Sequence, residues 1–109
     1  MKVKELLNLL PIVGVAVPNP EREIEGVYAG DLLSWVMGRA EEGNAWPTIM
    51  TNNNVIAVAT LTDVSCVIIC ENCEIEETLS QLAFEKGVNL LKTPLTIYQT
   101  CAALAQLGL

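Results

Sequence analysis

The chain has 109 residues, 51% of them hydrophobic, and carries six Lys plus Arg against thirteen Asp plus Glu for a net charge of −7. That size and apolar content suffice for one self-supporting domain over residues 1–109, and the negative field opposes nucleic acid and anionic membranes as partners. The absence of histidine removes the commonest general base and metal ligand and argues against an enzyme.

Val3, Leu6, Leu7 and Leu10 recur at helical spacing and predict an opening helix stopped by Pro11. Ile12–Val17 is a β-branched strand closed by Pro18-Asn19-Pro20, and the charged run after it leads through Gly26 into Val27-Tyr28-Ala29, a second strand or a bent continuation. After Gly30-Asp31, a stripe of Leu32, Leu33, Val36, Met37 and Ala40 predicts a helix ending at Glu42-Gly43-Asn44, with Gly43 as its C′ residue. Pro47–Thr51 is a short strand, and Thr51-Asn52-Asn53-Asn54 offers side-chain oxygens for an N-cap.

Val55–Leu61 is apolar on every side, so periodicity alone fits a buried strand or a buried helix; the asparagines before it favour helix. Val64–Cys70 is a buried strand. Ile75, Leu79, Leu82 and Ala83 form a helical stripe with Glu74, Glu76 and Glu77 at its positive end, Lys86 near its negative end and Gly87 closing it. Leu90-Leu91 is a last strand, Thr93-Pro94 begins a final helix with inner face Ile97, Cys101, Leu104 and Ala105, and Gly108 ends it. The sum is an α/β fold: a single domain with a largely parallel sheet of about five short strands and helices packed on its faces.

The first residues, Met1-Lys2-Val3-Lys4-Glu5, lack the apolar core and cleavage site of a signal peptide. No apolar run approaches the ~20 residues that span a bilayer, so a cytoplasmic location is expected. The four cysteines sit in apolar or helical segments and are expected as reduced thiols.

The segment Val27-Tyr28-Ala29-Gly30-Asp31-Leu32-Leu33-Ser34-Trp35-Val36-Met37, followed by Trp46-Pro47-Thr48-Ile49-Met50-Thr51 and Leu91-Lys92-Thr93-Pro94-Leu95, resembles the DRTGG domain family. With the intervening Asn54–Asp63 segment, the resemblance covers about Val3 to Leu109. The family is similar to the N-terminal domain of HPr kinase/phosphorylase and occurs beside CBS domains in pyrophosphatases and next to phosphotransacetylase. The resemblance implies an α/β fold, dimer contacts and a regulatory or ligand-sensing role, and it supports helix for Val55–Leu61. The chain departs from the family in two ways. The Asp-Arg-Thr-Gly-Gly signature is missing, and Cys70-Glu71-Asn72-Cys73 stands where a glycine-rich turn is expected after the central strand.

Four strand-to-helix junctions on one sheet edge make a natural ligand site, because ligands of open parallel sheets bind beyond the carboxyl ends of the strands. Gly30, Asp31 and Ser34 could present backbone N–H groups and a hydroxyl to an anion, or Asp31 could simply cap a helix. Thr51 and Asn53 supply uncharged donors and acceptors but are also ordinary turn residues, and Thr93 carries the same two readings. The expected ligand-binding set is therefore Gly30, Asp31, Ser34, Thr51, Asn53 and Thr93, with the glycine and the hydroxyl and amide residues facing one cavity that takes a small anionic or nucleotide-like metabolite.

Cys70 and Cys73 form one C-x-x-C with no second pair and no histidine, so a zinc site closes only between two subunits. A redox role is permitted by the helix that follows but weakened by Glu71 and Glu74, which raise a thiol pKa. Cys66 and Cys101 read as core. Trp35 lies off the apolar stripe of its helix, and it and Trp46 are candidates for an interface, a stacking platform or the core.

With no G-x-x-x-x-G-K-[ST] loop, the expected function is a stand-alone, non-catalytic regulatory or ligand-sensing module without cofactor or resident metal, acting as a homodimer and through a protein partner. The alternatives are a thiol redox or metal-binding protein using Cys70 and Cys73, a kinase-associated phosphotransfer component, and a purely structural interaction domain.

Overall fold

The central strand is apolar on both faces, and that dictates a three-layer molecule. In the computed structural model, which describes residues 1–109, the elements are α1 (Val3–Leu9), β1 (Val13–Ala16), α2 (Leu33–Arg39), β2 (Ala45–Thr48), α3 (Asn54–Thr62), β3 (Cys66–Ile69), α4 (Glu77–Glu85), β4 (Leu90–Lys92) and α5 (Ile97–Gln106). Strand order is β1-β4-β3-β2. Val67 and Ile69 of β3 join Trp46, Leu90 and the inner faces of α2, α3 and α4 in one core. Cys66 and Ile68 point the other way, into a second core with Leu91, Val3 and Leu6 of α1 and Leu104 of α5. Alternation along a strand thus sorts side chains between two helical layers.

Strands β2, β3 and β4 are parallel, with Ala45 opposite Cys66 and Val67 opposite Leu90. The helices α3 and α4 are their crossovers, so both run against the strands and parallel to each other. Strand β1 closes the other side antiparallel to β4, with a register shift between Gly14 and Ala16.

The sheet has four strands rather than about five, and a proline accounts for the difference. Residues 26–30 lie along the outer edge of β2, where Ala45 N donates to Gly26 O (2.9 Å), Tyr28 N to Ala45 O (2.9 Å) and Gly30 N to Pro47 O (3.3 Å). The next donor in such a parallel ladder would be residue 47, which as proline has no N–H. What remains of the expected strand Val27-Tyr28-Ala29 is the single bridge Val27–Ala45.

Val55–Leu61 is helical, within α3. Three helix boundaries differ from expectation. Helix α5 starts at Ile97 and not at Thr93-Pro94, because Thr96 and Gln99 form a reciprocal capping box, with Gln99 N donating to Thr96 Oγ1 (3.1 Å) and Thr96 N to Gln99 Oε1 (3.0 Å). Helix α2 ends at Arg39, with Ala40 already extended. Gly43 lies further on at φ +84, where a Cβ would meet the Glu25 side chain at 3.1 Å. Helix α4 starts at Glu77, so Glu74 precedes its first turn. No helix is long and apolar enough to cross a membrane.

Candidate functional site

The carboxyl ends of the parallel strands gather three loops into one rim. At the β2 end, Asp31 accepts hydrogen bonds from Thr48 Oγ1 (2.7 Å) and Ile49 N (2.9 Å), and Met50 N donates to Thr48 Oγ1 (3.3 Å). Asp31 therefore ties residues 48–50 to the start of the α2 segment. It is not the cap of α2: the N-cap is Leu32, which makes no side-chain cap bond. Gly30 is held from both sides, its N–H donating to Pro47 O and its carbonyl accepting from Trp46 Nε1 at 2.9 Å. Trp46 is wholly buried, whereas Trp35 is 53% exposed, with the Arg39 guanidinium 3.7 Å over its ring.

At the β3 end the chain makes a tight turn through Cys70-Glu71-Asn72-Cys73. Cys73 N donates to Cys70 O (3.4 Å), and Glu71 and Asn72 both hold positive φ, 60° and 54°, as in a mirror-image turn. Glu71 N to Leu95 O (2.7 Å) and Asn72 N to Thr93 O (3.0 Å) pin this conformation to the β4 loop. The turn thus keeps a backbone that favours glycine, with Asn72, which tolerates it, and Glu71, which does not.

Cys70 is buried, its Sγ 3.5 Å from Thr100 Oγ1 and 3.5 Å from Ile68 O. Burial pushes its thiol pKa up against a smaller lowering from the Thr100 hydrogen bond, which disfavours the thiolate that redox and metal chemistry need. Burial likewise pushes Cys66 up to about 12 and raises Cys101. All four cysteines are free thiols, and no group of three or more His, Cys, Asp or Glu side chains is placed to hold a metal.

At the β4 end Thr93 is wholly buried. Its hydroxyl donates to Pro11 O (2.8 Å) and accepts from Leu95 N (3.3 Å), so it braces the loop from beneath. Asp31, Ser34 and Asn53 are exposed and Gly30 and Thr51 partly so.

Asn53 also lines a groove of about 410 Å³ between α3 and α4, which none of the other five expected site residues reaches. Periodicity gave little notice of this groove. Its signal was the uniform apolarity of Val55–Leu61: a helix apolar all round calls for cover on every side, yet Leu61 is 72% exposed.

Sheet, layers and rim define a small α/β domain with an open strand-end edge. The chain belongs to the DRTGG domain family, whose model matches residues 36–107. Its fold is similar to that of the CBS and DRTGG domains of the regulatory region of Clostridium perfringens pyrophosphatase, in a crystal structure complexed with the activator diadenosine tetraphosphate. The TM-score is 0.77 at 14% identity, over 96% of this chain and 46% of that one; this chain thus spans less than half of its structural neighbour. Comparison with curated proteins finds no match.

Proposed function

We propose that the chain is a non-catalytic regulatory module that senses a small anionic or nucleotide-like metabolite at the strand-end rim and acts as a homodimer on a protein partner. The observation that carries this reading is membership of the DRTGG family over residues 36–107. It is supported by the likeness of fold to a regulatory region that is complexed with a nucleotide activator. Within the rim, the Gly30 backbone, Ser34, Thr51 and Asn53 are the approachable contacts. Asp31 and Thr93 act as positioning residues, since their side-chain oxygens already serve Thr48 and Ile49 in the one case and Pro11 and Leu95 in the other.

The dimer reading draws on α2 and the residue before it, where Leu32, Trp35 and Met37 are 57%, 53% and 50% exposed. Such a set suits a two-fold contact better than open solvent.

The test is a thermal-shift screen of nucleotides and dinucleoside polyphosphates, followed by Ser34→Ala and Thr51→Val. Binding that both substitutions weaken supports the reading; a ligand indifferent to both overturns the site. Thr93 is a poor probe, because its hydroxyl donates to Pro11 O from a buried position and removing it lowers stability by about 0.5–1.5 kcal/mol whatever the ligand does.

A further inference from the structure

Helix α3 has more apolar surface than the fold covers. Val55, Ile56, Val58 and Ala59 are buried, while Ala57 and Leu61 face outward. The space between α3 and α4 is the groove of about 410 Å³, a volume within the range of small-molecule sites. Ile56, Ala57, Leu61 and Leu82 give it an apolar lining, with Asn53 and Lys86 among its polar residues. From Asn53 to Leu61 the helix extends about 12 Å at 1.5 Å per residue.

Both polar groups are unspent. Asn53 occupies the N-cap position of α3 but makes no side-chain cap bond, and it is Asn52 Oδ1 that accepts from Asn54 N. Lys2, Lys4 and Arg22 are paired with carboxylates and Arg39 lies over Trp35, whereas Lys86, like Lys92 on β4, has no carboxylate partner in a chain of net charge −7, and of these two only Lys86 lines the groove. A cation at that helix end offsets the helix dipole, which accounts for its place and leaves its hydrogen-bond donors open. The third polar residue of the lining, Thr60, has its hydroxyl proton committed to Ile56 O at 2.9 Å.

From this geometry we propose a second site, which adjoins the strand-end rim at Asn53: the α3–α4 groove binds a free monoanionic amphiphile, a medium-chain carboxylate whose head meets Lys86 and whose unbranched body lies on the apolar lining. A polyphosphate is the wrong class here, because one ammonium offsets one charge and the field of the whole chain opposes the rest. The apolar lining accounts for the body and the single lysine for the head.

The experiment is an amide-resolved NMR titration of the full chain with decanoate and with decanol. Decanoate shifts amides of α3 and the end of α4 and binds about threefold more tightly than decanol, the scale of one exposed charge pair. Lys86→Gln, at an exposed position, abolishes that difference and leaves decanol unchanged. Ala57→Trp, also exposed, fills the groove and removes both, while Phe84→Ser, on α4 outside the groove, changes neither. Equal affinity for the two probes, shifts away from α3 and α4, or indifference to Ala57→Trp would overturn the proposal. Dissociation of a dimer by Ala57→Trp would also overturn it, by showing that a second copy covers the groove. Nucleotide binding at the rim is scored separately through Ser34 and Thr51, so either site can fail alone.

Discussion

Glu71 holds its backbone at φ +60 and Asn72 at +54, but the two residues are not equally at odds with that geometry. Asparagine tolerates the left-handed region, whereas a glutamate there meets the full steric cost of its Cβ. Glu71→Gly is therefore expected to raise stability by about 0.5–1 kcal/mol after the added freedom of the unfolded chain is deducted, with Asn72→Gly near neutral; equilibrium urea denaturation checks the order. Equal effects would show that the turn is not strained at residue 71.

Titration gives a second residue-scale prediction. Burial holds the Cys66 thiol up at about 12 against an ordinary 9.0, so the folded state keeps a proton that the unfolded chain releases. Stability is then whole below pH 9 and falls as pH rises from about 9 through 12, and Cys66→Ala flattens that fall. Glu21 runs the opposite way. Hydrogen bonds from Lys2 and Lys4 hold its carboxyl down at about 2 against 4.5, so its contribution is present above pH 4.5 and is lost as pH drops through about 2. Denaturation midpoints across pH, with Glu21→Gln as control, read both limbs.

Among the elements, Pro47 explains the missing strand and can be tested directly. Pro47→Ala supplies an N–H opposite the Tyr28 carbonyl, so the amide of residue 47 should exchange slowly with solvent as residues 26–30 complete a parallel pairing. Rapid exchange at that amide would show that the segment is kept from pairing by something else. The sequence made the apolar strands legible because their side chains have nowhere else to go: Val64–Cys70 contains β3, and Ile12–Val17 contains β1. It hid features decided by single hydrogen bonds. Thr93 and Thr96 look alike as cap residues, yet only Thr96 has Gln99 three residues on to complete a capping box. Asp31 has the side chain of a cap but spends it on Thr48 and Ile49, partners 17 and 18 residues away. Glu71 gave no warning of left-handed geometry, since its conformation is held by the bonds from Glu71 and Asn72 to Leu95 and Thr93 across the rim.

At the scale of the whole molecule, the central strands of the sheet are covered on both faces, while α2 and its N-cap leave Leu32, Trp35 and Met37 outside. The dimer reading predicts twice the monomer mass by light scattering at micromolar concentration and a monomer on Trp35→Glu, a surface change that leaves the cores untouched. A wild-type monomer at high concentration would contradict it. The strand-end rim was legible as a place, because parallel strands and their crossovers put helix starts at one edge. The exposure of its residues was not: Ser34 is exposed and Thr51 partly so, whereas Thr93 is buried.

Whether this DRTGG domain senses a ligand is read from the unfolding temperature of the chain against nucleotide concentration. A ligand that binds only the folded state at a hundred times its Kd stabilises by about 2.7 kcal/mol. A sensor domain shows a saturable rise in midpoint with at least one nucleotide-like anion, reduced together by Ser34→Ala and Thr51→Val. A midpoint that stays flat across the nucleotide and dinucleoside polyphosphate series, or a rise that survives both substitutions, would contradict it.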